Sequence, residues 1–276
     1  MPVTSYTKQR ADAPAGFFEA EAAGLAWLAE ATPRGGARTV GVQSASPGRI
    51  DLDPVHEVRP TAEAARAFGE ALAVTHASGA DAFGAPPRGW TGPCFIGSRS
   101  LTVRPKATWG VFYAEQRVLP YARVAVEAGN LDRAGLEVVE HACRVVADGA
   151  FDDEVPPARL HGDLWAGNVL FDGGGVVLID PAAHGGHPET DLAMLALFGC
   201  PHLDDVLAGY EARSPLGEGW QGRVPLRQLQ PLAVHAAGHG PSYGVALVRA
   251  AQAPLRRAGP GRGGVPPGDR GGGGPR

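Results

Sequence analysis

The residues that could do chemistry crowd into one stretch: Leu160-His161-Gly162-Asp163-Leu164-Trp165-Ala166-Gly167-Asn168, then Val169 to Phe171, Asp172-Gly173-Gly174-Gly175, Val176 to Ile179, and Asp180-Pro181. Val-Leu-Phe and Val-Val-Leu-Ile are short apolar runs separated by Asp-Gly-Gly-Gly, the turn chemistry of a β-hairpin. A hairpin centred on Gly174 sets the residues six before and six after it roughly opposite each other, and these are Asn168 and Asp180. An amide oxygen and a carboxylate then meet at the open end of one ribbon. Such a pair of hard oxygens suits Mg²⁺, which takes one or two protein oxygens and fills its remaining positions with water and substrate phosphates. Asp163, in the loop feeding the ribbon, faces the same space as a base.

The order His-x-Asp, then Asn five residues after the Asp, then a strand-end Asp matches the kinase layout of base, second metal ligand and first metal ligand. An Asp with an Asn five residues on is common by chance. The hairpin symmetry and the second Asp are what make this stretch read as a phosphoryl-transfer centre. His161 is expected to pack and hydrogen-bond beneath the loop rather than touch substrate.

Three segments carry a family resemblance: His161-Gly-Asp-Leu-Trp-Ala-Gly-Asn-Val-Leu170, Ile179-Asp-Pro-Ala-Ala-His-Gly-Gly-His187, and Glu189-Thr-Asp-Leu-Ala-Met-Leu-Ala-Leu-Phe-Gly199. They resemble the fructosamine (ketosamine) kinases, in the aminoglycoside-phosphotransferase-like branch of the protein-kinase fold. Trp165 and the Asp-Pro-Ala-x-x-x-Gly-His pattern are more specific than His-Gly-Asp, which choline and aminoglycoside kinases share. The resemblance covers about residues 3 to 250 and implies an α+β, protein-kinase-like two-lobe fold. It also implies use of ATP and Mg²⁺, and phosphorylation of a ketosamine on the sugar 3-hydroxyl, the sugar being free or carried on a glycated-protein lysine.

Composition narrows the alternatives. With 276 residues and 44% hydrophobic content the chain can bury a sizeable core. A net charge of −4 offers no basic surface for nucleic acid or an anionic membrane. Cys94, Cys143 and Cys200 lack any Cys-x-x-Cys spacing and read as free thiols in a reducing cytoplasm. No run approaches the roughly 20 apolar residues of a membrane span, and the first residues lack a signal-peptide core. The expectation is a cytoplasmic monomer.

The elements that must position the centre follow in order. Val3 to Lys8 is a β-prone run, and Gly16 to about Ala31 spaces Phe18, Leu25 and Leu28 as a helix. In the resembling family this is the strand lysine and helix glutamate that position the ATP phosphates, which by position are Lys8 and Glu21. Thr39 to Gln43 and Arg49 to Asp53 read as a second hairpin. The turn Asp53-Pro54-Val55-His56 falls where kinase-like chains cross between lobes, and backbone groups there would hold adenine. Thr61 caps a helix that stops at Gly79; His76, near its end, is given no catalytic role. Trp109 to Tyr121 forms a helix with an aromatic face, and Asp132 caps the next. His184-Gly-Gly-His187 fits no standard zinc spacing; the resemblance puts this loop beside the sugar cleft, so His184 and His187 are candidate substrate contacts. Asp191, in the first turn of the helix Glu189 to Phe198, suits the helix dipole, and related kinases use an aspartate there to brace the catalytic loop.

The domain reading is residues 1–56 as an incomplete nucleotide-binding lobe, 57–257 as the catalytic lobe and 258–276 as a disordered Gly- and Pro-rich tail. The lysine of the small lobe is already residue 8, with no glycine-rich phosphate-covering turn before it. The chain as written is therefore expected to bind ATP weakly for such a family. The rival readings are an aminoglycoside- or choline-type kinase, against which Trp165 stands, and a pseudokinase that binds without turnover.

Overall fold

The computed structural model describes residues 5–258. The expected tail beyond Ala258, and Val3 and Thr4 of the first β-prone run, lie outside them. The first strand is β1 (Tyr6–Gln9), followed by α1 (Phe17–Ala29), the short β2 (Arg38–Thr39), and the hairpin β3 (Val42–Ser46) and β4 (Arg49–Leu52). A three-stranded antiparallel sheet runs in the order β1-β4-β3, with Lys8 opposite Ile50. Phe18 and Leu25 of α1 pack with Ile50 and Leu52 against this sheet, and Val40 and Val177 join them.

The second hairpin differs from the sequence expectation at one end. Thr39 belongs not to it but to β2, which leaves the sheet and pairs in parallel with β9 (Gly175–Leu178). Val40 N donates to Leu178 O at 3.0 Å, and Arg38 meets Asp172 with two hydrogen bonds of 2.8 and 2.9 Å. Those long-range partners decide where the strand goes, and neither is visible in a window of local periodicity. The connection binds the small sheet to the ribbon that contains β9.

The larger, helical part begins with α2 (Ala62–Ala77), whose Thr61 hydroxyl accepts from Ala64 N as a side-chain cap. A small hairpin, β5 (Cys94–Ile96) and β6 (Arg99–Leu101), precedes α3 (Trp109–Phe112). Between α3 and α4 (Leu119–Glu127) the aromatic helix is not continuous: Tyr113–Val118 widens to a π-helical turn. Next comes α5 (Arg133–Ala147), capped by Asp132. The segment that carries Asp163, Asn168 and Asp180 is β7 (Ala158–Leu160), a 3₁₀ turn at Ala166–Asn168, β8 (Val169–Asp172), β9, and β10 (His184–Gly186), which returns to pair with β7. The chain ends in α6 (Glu189–Phe198), α7 (Leu203–Arg213), α8 (Val224–Arg227), α9 (Leu229–Ala236) and α10 (Pro241–Ala258).

Two helices cross closely because both lack side chains at the crossing. A Cβ on Gly69 of α2 would stand 1.9 Å from Val206 O of α7, and one on Gly209 of α7 would stand 2.0 Å from Arg66 O of α2. Among the described residues no helix is long and apolar enough to cross a membrane.

Candidate active site

The loop after β7 is held from below by a carboxylate. Asp191 Oδ2 accepts from His161 N at 2.8 Å and Oδ1 from Gly162 N at 3.0 Å. Its Oδ2 also meets His76 Nε2 at 3.2 Å, and His76 Nδ1 meets the Tyr210 hydroxyl at 2.9 Å. A carboxylate only accepts, so Nε2 is the protonated nitrogen of that histidine. His76, Asp191 and Tyr210 are all buried. The sequence reading missed His76 and Tyr210; the signal was a histidine on the apolar face of α2, which alone does not reveal its partner 115 residues away. His161 is buried too, its Nε2 on Ile179 O at 2.8 Å, as expected of a packing residue. Gly162 adopts φ +81°, and a Cβ there would lie 2.3 Å from Ala182 O, so the loop needs glycine at this turn.

The ribbon itself is one residue off the symmetry argued from sequence. Asp172 pairs with Gly175 and Val169 with Leu178, so its centre falls between Gly173 and Gly174. Asn168 therefore faces Ile179, whose N donates to Asn168 O at 3.2 Å. In a regular strand Asp180 would point to the opposite face. Instead it leaves the strand with φ +52°, in the left-handed region that few side-chain-bearing residues adopt. That turn brings Asp180 into the same cleft as Asp163 and Asn168.

Within the cleft Asn168 Nδ2 donates to Asp163 O at 2.8 Å and approaches Asp163 Oδ2 at 3.4 Å. Its amide oxygen is then the atom it can offer a cation, beside the Asp180 carboxylate. Two hard oxygens of this kind fit Mg²⁺. Burial pushes the Asp163 carboxyl up to about 7, reinforced by the negative charges of Asp180 and Asp191. Lys8 Nζ stands 2.6 Å from Glu21 Oε1 and also bonds Asp180 Oδ1. Burial alone would lower the Lys8 pKa, but these two carboxylates carry it above its ordinary value.

Lys8 and Asp180 sit in a wall shared by two clefts. One, of about 300 Å³, holds Glu21, Asp163, Asn168 and Trp165. The other, of about 250 Å³, is lined by Tyr6, Val40, Leu52, Asp53, Val55 and Ile179 among others. Asp53 and Val55 thus stand in the second cleft, and the Asp53 carboxylate accepts from Gln43 Nε2 at 2.9 Å. Trp165 is 43% exposed, and its ring covers Gly167, where a Cβ would lie 2.3 Å from the indole.

His184 and His187 do not line either cleft. His184 is fully enclosed, with Nδ1 on Ala182 O at 2.7 Å and Nε2 accepting from Arg117 Nε at 3.2 Å. His187 Nε2 meets Asp153 at 3.1 Å and its Nδ1 accepts from Glu189 N. Both rings are instead buried against the helical part, His184 beside Phe112 and His187 beside Trp109. The same region holds a buried cluster with no sequence signal: Glu189 bonds Arg223 and Arg227, and Arg227 stacks 3.7 Å from the Trp109 ring.

Comparison with known proteins agrees with this architecture. The fructosamine kinase family model matches residues 4–257. A mouse (Mus musculus) ketosamine-3-kinase is 36% identical over 135 residues, covering 49% of this chain and 43% of that one. The chain spans about half the length of the curated relatives it matches. A crystal structure from Thermobifida fusca that carries the fructosamine-3-kinase name superposes with a TM-score of 0.83 at 44% identity, covering 91% of this chain and 85% of that one. An aminoglycoside phosphotransferase, solved in ternary complex with ADP and hygromycin B, gives a TM-score of 0.55 at 13% identity over 87% of this chain and 84% of that one, which shows a shared α+β two-lobe fold.

Proposed function

The chain belongs to the fructosamine kinase family, and from that premise we propose that it transfers the γ-phosphoryl group of ATP to the 3-hydroxyl of a ketosamine. The observation that carries this reading is the shared wall: Lys8 and Asp180 border both the cleft that contains Asp163 and a second cleft in which Val40, Leu52, Val55, Leu170 and Ile179 offer apolar surface for adenine beside the acids Asp53 and Glu57. A nucleotide lying in the second cleft would present its phosphates to Lys8 at the boundary of the first. Lys8 is held in line by Glu21 and gives the phosphate oxygens a fixed cation. Asp163 orients the acceptor hydroxyl and takes its proton; a carboxyl titrating near neutrality suits that task. Asn168 and Asp180 would hold Mg²⁺, which supplies charge neutralisation when bound. Asp191 and His76 keep the loop backbone fixed so that Asp163 does not reorient during transfer.

An ADP-release assay with fructosyl- and ribulosyl-amines tests the reading, with the product's phosphate position read by NMR. ADP release that depends on the ketosamine, with phosphate on the 3-oxygen, is the expected result. Nucleotide binding without ADP release on any ketosamine would establish the pseudokinase alternative instead.

A further inference from the structure

Four aromatic side chains border the Asp163 cleft, and they come from three separate segments: Phe17 and Phe18 at the start of α1, Phe95 in β5 and Trp165 in the loop after β7. The Phe17 and Phe95 rings meet with centroids 5.1 Å apart at 55°, and Phe17 stands edge-on to Phe18 at 5.1 Å and 84°. Pro87 and Pro181 extend the same apolar lining. The charged lining among the described residues is Glu21, Asp163 and Asp180 with Lys8, which two of those acids already engage. Arg10 and Arg88 are not part of the lining and are bonded to Asp12 and Asp81 respectively, both at 3.2 Å, although the Arg10 guanidinium also lies over the Phe17 ring, 5.4 Å from its centroid. Phosphoryl transfer as described above makes no use of Phe17 or Phe95.

A ketosamine has its sugar hydroxyls at one end and, at the other, a secondary amine that is cationic at neutral pH. With a hydroxyl at Asp163, the amine and whatever it carries face the remaining walls of the cleft. Resting on the ketosamine reading of this cleft, we propose that Phe17 and Phe95 form the subsite for the group on the acceptor's amino nitrogen. They select groups that are apolar or aromatic, and the cleft rejects a carboxylate next to that nitrogen. An ammonium is attracted to aromatic faces, and an apolar substituent gains by covering two rings. A carboxylate on the adjacent carbon meets three acids and no free cation in the lining. The favoured acceptors are thus sugars on the side-chain amine of a peptide lysine or on an arylalkyl amine, over sugars on the α-amine of a free amino acid.

The test compares kcat/KM for four fructosyl adducts, those of methylamine, benzylamine, phenylalanine and phenylalanine amide, in the wild type and in Phe95→Ala, Phe17→Ala and the volume-keeping Phe95→Leu and Phe17→Leu. In the wild type the benzylamine adduct should exceed the methylamine adduct by about tenfold, and the amide should exceed the free acid. Phe95→Ala and Phe17→Ala should each reduce the first ratio and leave the second, which comes from the acids; the Leu variants should reduce it partly. Equal efficiency on all four adducts, or a benzyl preference untouched by both ring-removing variants, overturns this proposal while the ketosamine reading stands. No turnover on any adduct overturns both.

Discussion

At the scale of single residues the site is a set of acids whose environments differ. Asp163→Asn removes the base and leaves the proposed metal and nucleotide contacts in place, so turnover should fall by about 10² to 10⁴-fold with ATP affinity retained. A single-turnover assay beside a nucleotide titration checks this, and parental turnover would refute the assignment. His184 offers a second test, through stability. Burial pushes its imidazole down to about 3, with Arg117 adding to the effect, against 6.5 in the unfolded chain. Between those values the unfolded chain binds a proton that the folded one refuses, so stability is lost as pH falls from about 6.5 toward 3. His184→Gln keeps an acceptor for Arg117 and removes the titration. Its denaturation midpoint should decline less steeply over that window than that of the wild type.

At the scale of elements, the α2–α7 crossing decides whether the catalytic loop is braced. Gly69 and Gly209 let the two backbones approach closely enough for His76 of α2 and Tyr210 of α7 to bond beside Asp191. Gly209→Ala places a methyl group 2.0 Å from Arg66 O, and overpacking of this kind costs about 1–3 kcal/mol. The variant should melt earlier, and its turnover should fall as well, because separating the helices pulls His76 from its partners. A variant with unchanged melting temperature and unchanged turnover would show that the crossing is not tight. The two losses together would distinguish a brace from mere packing, since Thr61→Ala at the far end of α2 should reduce stability by about 1 kcal/mol with turnover little altered.

At the scale of the whole molecule, the proposed function depends on joining the small sheet to the helical part around one wall. Lys8 comes from β1, Glu21 from α1, and Asp180 follows β9, and the three meet 172 residues apart in sequence at the widest. Lys8→Met should therefore weaken nucleotide binding and lower turnover together, by roughly 10²-fold in turnover. Asp180→Ala should instead shift the Mg²⁺ concentration needed for half-maximal activity. Titrating both variants with Mg²⁺ separates the two roles: an unchanged metal requirement in Asp180→Ala would remove that residue from the proposed metal pair.

Local sequence alone was enough to group Asp163, Asn168 and Asp180, the proposed reaction centre, around one ribbon. The apolar runs flanking Asp172-Gly-Gly-Gly give the ribbon because turn residues and β-prone residues act over a few positions. Thr61 and Asp132 announce their helices because a cap is satisfied within three residues. The clustering of Asp163, Asn168 and Asp180 follows from the same short range. What the sequence could not decide were matters settled by distant partners. The ribbon's register is centred between Gly173 and Gly174, so Asp180 reaches the cleft through a left-handed backbone turn rather than through strand alternation. The first strand of the second hairpin starts at Val42 because β2 is claimed by β9. His184 and His187 face the core, and His76 faces Asp191, because side-chain direction on these elements is set by what packs against them. Pairing across long loops depends on the closing of the whole chain, and no window of neighbouring residues contains it.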